Sequence, residues 1–257
     1  MAVPGGTVPV ETLGTGPPLI LLHGWTLDRR MWLPQLPLAD QFALIGIDRR
    51  GFGQATAPPD LAAEPDDVLR VADALGLRRF HVLGMSQGGR VALALADRAG
   101  SRLLSLTLAC TALDGVAAPD EEVPIAAMTD AARRGDLGAM RTLWQRHRLM
   151  RPAGQAGRAL VAAMLADYTA RDLVVARHEL PAIAGMIAAL NVPVTAIVGA
   201  DDTPQRLANA AALLKAGAGL VTLAGGHLCN IDDPHGFNLV MRTLVATAGL
   251  GAARSTA

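Results

Sequence analysis

Lysine is almost missing from this chain, for Lys215 stands alone among 23 basic residues. Acidic residues also number 23, so the formal net charge at pH 7 is zero. Without an excess of either sign there is no long-range field to gather phosphates or an anionic membrane surface, and nucleic acid is not expected as a partner. Cysteine is as scarce. Cys110 and Cys229 are the two present, too few and too far apart for a disulfide scaffold, so free thiols in a reducing cytoplasm are expected. Long apolar runs are missing too: Leu103 to Leu113 is too short to span a bilayer, and Ile183 to Ala200 is broken by Asn191 and Pro193. The opening Met-Ala-Val-Pro-Gly-Gly lacks the basic start and apolar core of a signal peptide. A cytoplasmic chain with no membrane partner is the expectation, and nothing in the sequence specifies an oligomeric state.

What is present is apolar bulk. Over 257 residues, 51% are hydrophobic and 18% charged, enough buried surface to offset chain entropy and fill one large core. Runs of four to eight apolar residues alternate with longer helical patterns, the signature of a mostly parallel sheet flanked by helices. The runs place strands at Leu19 to Leu22, Ala43 to Ile47, Phe80 to Leu83, Leu103 to Ala109, Val194 to Val198 and Gly219 to Leu223. Helices are expected over Asp66 to Leu75, Gln87 to Ala99 and Pro204 to Lys215. A last one opens at Asp233-Pro234, with a stripe through Phe237, Met241, Leu244 and Val245. The alternation fails between about Ala112 and Leu190, which reads as short helices punctuated by Pro119, Pro124, Pro152 and Pro181. The chain is therefore expected to be one α/β domain over 1–257, with a core of 1–111 and 191–257 and a helical insertion over 112–190.

The sharpest local signal is Phe80-His81-Val82-Leu83-Gly84-Met85-Ser86-Gln87-Gly88-Gly89, where a strand ends in Gly-x-Ser-x-Gly and a helix follows at once. Glycines two before and two after the serine let strand and helix backbones approach closely, and the turn lifts the hydroxyl above the sheet. A tight connection with an idle serine is the bland alternative. A hydroxyl nucleophile needs a base, and the base needs an orienting carboxylate. Both follow in that order: Asp201 and Asp202 after the strand ending at Val198, then His227 after the strand ending at Leu223. Either aspartate could instead cap the helix that Pro204 opens, and Gly226-His227 could be a solvated turn. All three candidates nevertheless fall beyond strand carboxyl ends, where open parallel sheets bind ligands. His23-Gly24-Trp25 ends an earlier strand, and the backbone N–H groups of Trp25 and Gln87 are candidates for an oxyanion hole. His23 itself reads as a structural hydrogen-bonding residue.

These motifs, with Asp48-Arg49-Arg50-Gly51-Phe52-Gly53 after the second core strand, make the chain resemble the α/β-hydrolase fold superfamily over nearly its whole length. The resemblance implies a nucleophile at Ser86, a base at His227 and an acid at Asp202, with Asp201 as runner-up. It also makes 112–190 a helical cap and the Asp48 segment a structural turn. One departure lies at the N-terminus, where Val8 to Leu13 supplies a single strand and the usual opening hairpin is shortened. Residues 23–35 and 226–238 resemble the 3-oxoadipate enol-lactonase and small-esterase group, implying a small ester or lactone substrate and no cofactor or metal. Related C–C bond hydrolases, cofactor-free haloperoxidases and a weakly catalytic binding protein are the rivals. Apolar residues such as Ile125, Met128, Leu143, Trp144, Leu149, Leu160, Met164 and Met186 are expected either to roof a pocket or to pack within the cap.

Overall fold

Pro18–Leu22, Ala43–Ile47, Phe80–Met85, Leu103–Ala109, Val194–Gly199 and Gly219–Leu223 are neighbouring parallel strands, β4 to β9, in a computed structural model that describes residues 1–119, 123–175, 180, 187 and 190–254. His178, Pro181 and Met186 lie outside the described residues. Val10–Leu13 (β3) joins the same sheet antiparallel to β5, giving the order β3-β5-β4-β6-β7-β8-β9. β6 is buried at every position, as a central parallel strand covered on both faces must be. The short pair Ala2–Val3 (β1) and Gly6–Thr7 (β2) forms a separate two-residue ladder, so a strand pair does precede β3. Its glycines and single residues of contact give no period for a sequence reading to find.

Side chains alternate along the strands into two cores. Leu19, Leu21 and Leu83 point to one face, where they join Trp32, Phe237 and Met241. Ile20, Leu22 and Val82 point to the other, against Val68, Val71, Val91 and Leu95. The second face is covered by α1 (Glu64–Ala74) and α2 (Gln87–Ala99), α1 starting two residues ahead of the expected position because Pro65 suits the first helical turn.

Between β7 and β8 the described residues form α3 (Ile125–Arg133), α4 (Leu137–Gln145), α5 (Gln155–Asp167) and α6 (Arg171–Val174). This helical segment is tied to the loops beyond the strand carboxyl ends. Trp144 Nε1 donates to Thr26 Oγ1 at 2.7 Å, Trp25 Nε1 to Asp172 Oδ2 at 2.6 Å, Arg171 to the Ala55 carbonyl at 2.6 Å, and the Ala153 N–H to Asp232 at 2.7 Å. After β8, Thr203 caps α7 (Pro204–Lys215), accepting from the Arg206 N–H at 3.4 Å. After β9 come α8 (Cys229–Asp232) and α9 (Pro234–Arg254). Among the described residues no helix is long and apolar enough to cross a membrane.

Candidate active site

The sheet runs outward in opposite directions from β4: β5 lies on one side and β6 on the other. Such a reversal opens a crevice at the strand carboxyl ends. His23-Gly24-Trp25 leaves β4 and Ser86 leaves β6 at this crevice.

Ser86 has φ 53° and ψ −114°, a backbone conformation that costs a non-glycine residue about 1–3 kcal/mol and persists only when its surroundings enforce it. Its N–H donates to the Ala109 carbonyl at 2.8 Å, and its own carbonyl accepts from the Gly89 N–H at 3.0 Å. A Cβ at Gly84 would sit 2.4 Å from the Gly88 carbonyl oxygen, and one at Gly88 would sit 2.3 Å from that of Leu22. Both flanking glycines are thus required by space.

Asp202 and His227 meet in the loops after β8 and β9. His227 Nδ1 lies 3.1 and 3.2 Å from the two carboxylate oxygens of Asp202, and both side chains are buried. Asp202 also accepts from the Thr203 N–H at 2.7 Å. Burial pushes the Asp202 carboxyl up. The His227 charge and hydrogen bond, the Thr203 N–H and the Cys110 thiol outweigh that, and hold it below the usual carboxylate range. Asp201 is exposed. Of the two aspartates the sequence offers, the one in contact with His227 is Asp202.

Ser86, His227, Gly24, Trp25 and Gln87 line one cavity of about 240 Å³, walled by Leu27, Phe52, Met85, Trp144, Leu149 and Met150. The Gln87 N–H is in the first turn of α2, where intrahelical acceptors are lacking. Neither it nor the Trp25 N–H has a hydrogen-bond acceptor among the described residues. Of the expected roof residues, Ile125, Trp144 and Leu149 line the cavity. Met128 and Met164 are buried in the core, and Leu143 is exposed at 38%: it lies on the outer face of α4, so the roof reading fails there.

A buried polar cluster absent from the sequence reading braces this site. Arg49 Nε donates to Glu64 Oε2 at 2.6 Å, its Nη2 to Gln87 Oε1 at 2.9 Å and its Nη1 to the His23 carbonyl at 2.8 Å. The Arg49 N–H can only donate, so His23 Nε2 accepts it at 2.9 Å and Nδ1 carries the proton toward the Gly24 carbonyl at 2.8 Å. Burial and the charge of Arg49 lower His23 to about 3, which keeps it neutral and structural, as expected. Burial raises Glu64 to about 7 against the pull of Arg49. The Asp48 segment is a structural turn as well: its carboxylate accepts from the Arg29 and Gln54 N–H groups at 2.9 and 3.0 Å.

The two cysteines, which the sequence leaves without a role, meet beneath the Asp202–His227 pair. Cys110 Sγ lies 3.7 Å from Cys229 Sγ, both thiols free and buried. The Cys229 thiol and burial push Cys110 well above the ordinary thiol range.

This architecture has a known class. The pattern of the alpha/beta hydrolase fold family matches residues 17–145, half of the chain, and the chain belongs to that family. It is 34% identical over 125 residues to the putative carbamate hydrolase RutD of Caulobacter sp. (strain K31), covering 47% of this chain and 45% of that protein. It is 32% identical over 113 residues to 3-oxoadipate enol-lactonase 1 of Acinetobacter baylyi, covering 42% of each. The matched part thus spans less than half the length of these curated relatives. Among solved structures, a thermophilic esterase from Thermogutta terrifontis superposes with a TM-score of 0.72 at 26% identity, covering 96% of both chains.

Proposed function

We propose that this chain is a serine hydrolase that cleaves a small carboxylic ester or lactone through an acyl-enzyme. One observation carries the reading: a serine held at positive φ opens onto the same cavity as a histidine whose far nitrogen is hydrogen-bonded to a buried aspartate. In this reading Ser86 Oγ attacks the acyl carbon while His227 Nε2 takes its proton, and Asp202 fixes the imidazole tautomer and stabilises the imidazolium. The N–H groups of Trp25 and Gln87 receive the developing oxyanion. His227 then gives its proton to the departing alkoxide. A water, deprotonated by the same imidazole, releases the acid and restores Ser86. These steps need neither a metal nor an organic cofactor.

Residues 112–190 serve in this proposal as the cap. Trp144, Leu149, Met150 and Asp172 from that stretch line the cavity with the catalytic groups. The enol-lactonase and esterase likenesses support an ester or lactone substrate.

Labelling with a fluorophosphonate, followed by peptide mapping, tests the reading. Modification at Ser86 that is lost in His227→Ala supports it, together with turnover of short acyl esters or lactones. Absence of labelling in a folded protein overturns it.

A further inference from the structure

We propose that Cys110, Asp202 and His227, backed by Cys229, form a binding site for one thiophilic divalent cation such as Zn²⁺ or Cd²⁺, and that occupancy disables the histidine as a base. The binding rests on the side-chain cluster alone; the effect on chemistry rests on the serine-hydrolase reading.

The geometry is close to what such an ion demands. One ligand atom each from Cys110, Asp202 and His227 all lie within 4.8 Å of one another. A tetrahedral ion with about 2.3 Å to sulfur and about 2.0–2.2 Å to nitrogen or oxygen separates adjacent ligand atoms by about 3.3–3.8 Å. The Cys110–Cys229 sulfur separation is 3.7 Å, and His227 Nδ1 lies 3.1 Å from Asp202 Oδ2. The His227–Asp202 edge is therefore nearly in place without the ion and Cys110 completes the three-ligand group, while Cys229, outside that group, stands against Cys110.

The donor chemistry selects the class of cation. Thiol sulfur beside imidazole nitrogen and one carboxylate suits Zn²⁺ or Cd²⁺ and is poor for Mg²⁺ or Ca²⁺, which take oxygen ligands. All four side chains are at most 4% exposed, so little water competes once the ion is seated. Each thiol that coordinates releases its proton to solvent, while the proton of His227 passes from Nδ1 to Nε2, so that the imidazole stays neutral, binds through Nδ1 and has no free Nε2 lone pair to take a proton from Ser86. The ion then takes over the nitrogen that now faces Asp202. His227 lines the cavity, and the ligands come from the loops after β7, β8 and β9 and from the start of α8.

The test is a titration of the reduced full-length chain with Cd²⁺, followed by ultraviolet thiolate-to-metal charge transfer and by the rate of fluorophosphonate labelling at Ser86. The expected result is a band saturating at one equivalent, labelling slowed at least about tenfold, and reversal of both by EDTA. Cys110→Ala and Cys229→Ser, each checked for folding by its thermal transition, are expected to weaken Cd²⁺ binding at least about tenfold. No thiolate band on wild type, or an undiminished band in Cys110→Ala, overturns the site. A full band with unchanged labelling overturns the inhibitory role. Because the band does not depend on activity, a failure of the hydrolase reading is told apart from a failure of the site.

Discussion

Arg49 Nη2 lies 2.9 Å from Gln87 Oε1 while Nη1 of the same guanidinium lies 2.8 Å from the His23 carbonyl. One side chain thereby joins the loop that carries Trp25 to the turn that carries Gln87, the two hosts of the proposed oxyanion donors. Glu64 completes the clamp from α1 through 2.6 and 3.2 Å contacts to Arg49.

Breaking this pair from one side strands a buried charge. Arg49→Leu and Glu64→Leu are each expected to destabilise the chain by about 3–5 kcal/mol, whereas the double variant recovers most of that, because a buried pair and its apolar replacement are often nearly equal in stability. Turnover should behave differently. Loosening the spacing of the two N–H donors costs about a hundredfold in kcat for a displacement near 1 Å, and the double variant keeps that loss. Urea melts beside steady-state kinetics check both halves; wild-type kcat in the double variant would rule out a positioning role.

Ser86→Ala and His227→Ala should each lower ester turnover by roughly 10⁴-fold or more with the fold intact, and the double variant should be little worse than either. Losses that add in logarithm would mean the two side chains act in separate steps.

Asp202→Asn is expected to lower kcat by about 10⁴-fold, since an amide at that position favours the wrong imidazole tautomer. Asp201→Asn alters an exposed carboxylate and should change kcat little. Parallel kinetics on the two variants decide the matter, and the opposite ranking would move the acid by one residue.

Stability should depend on pH in two opposed ways. Burial lowers His23 to about 3 and His81 to about 4, so between those values and about 6.5 the unfolded chain binds protons that the native chain refuses. Stability therefore falls as pH drops through that window. Burial raises Glu64 to about 7; its folded value exceeds the unfolded one, so its contribution is present below about 4.5 and is lost as pH rises toward 7. Thermal melts at intervals from pH 4 to 8 are expected to show a flatter acid limb in His81→Asn and the loss of the opposing slope in Glu64→Gln. An acid limb as steep in His81→Asn as in wild type would contradict the first assignment.

The cavity of about 240 Å³ lies below the roughly 300–1,000 Å³ common for small-molecule sites. Short acyl esters and small lactones are expected to give higher kcat/KM than long-chain esters. A preference that rises with chain length would show that the walls from 112–190 do not limit the substrate.

Much of the fold and of the candidate site is legible in the sequence. The central strands fall within two residues of their expected bounds, because strands buried on both faces write themselves as continuous Val, Ile and Leu runs. Ser86 and His227 could be read from glycine spacing and from their place after strands. The resemblance put the acid at Asp202 rather than Asp201, and burial and contact distinguish the two in space. Arg49 and Glu64 are 15 positions apart with no period linking them, and Cys110 and Cys229 are 119 apart; such pairings exist only once the sheet order brings the loops together. Leu143 departs from its expected place for a related reason: a short helix with few apolar residues does not specify which face turns inward.

The indoles of Trp25 and Trp144 stand 5.0 Å apart, centroid to centroid, one on the loop after β4 and the other on α4. Each also hydrogen-bonds across the same boundary, to Asp172 and to Thr26. The remaining tryptophan, Trp32, packs on Phe237 away from the cavity. The protein thus carries a built-in fluorescent gauge: any separation of the helical segment from the strand-end loops changes the emission of two neighbouring indoles at once, while Trp32 supplies a steady internal reference.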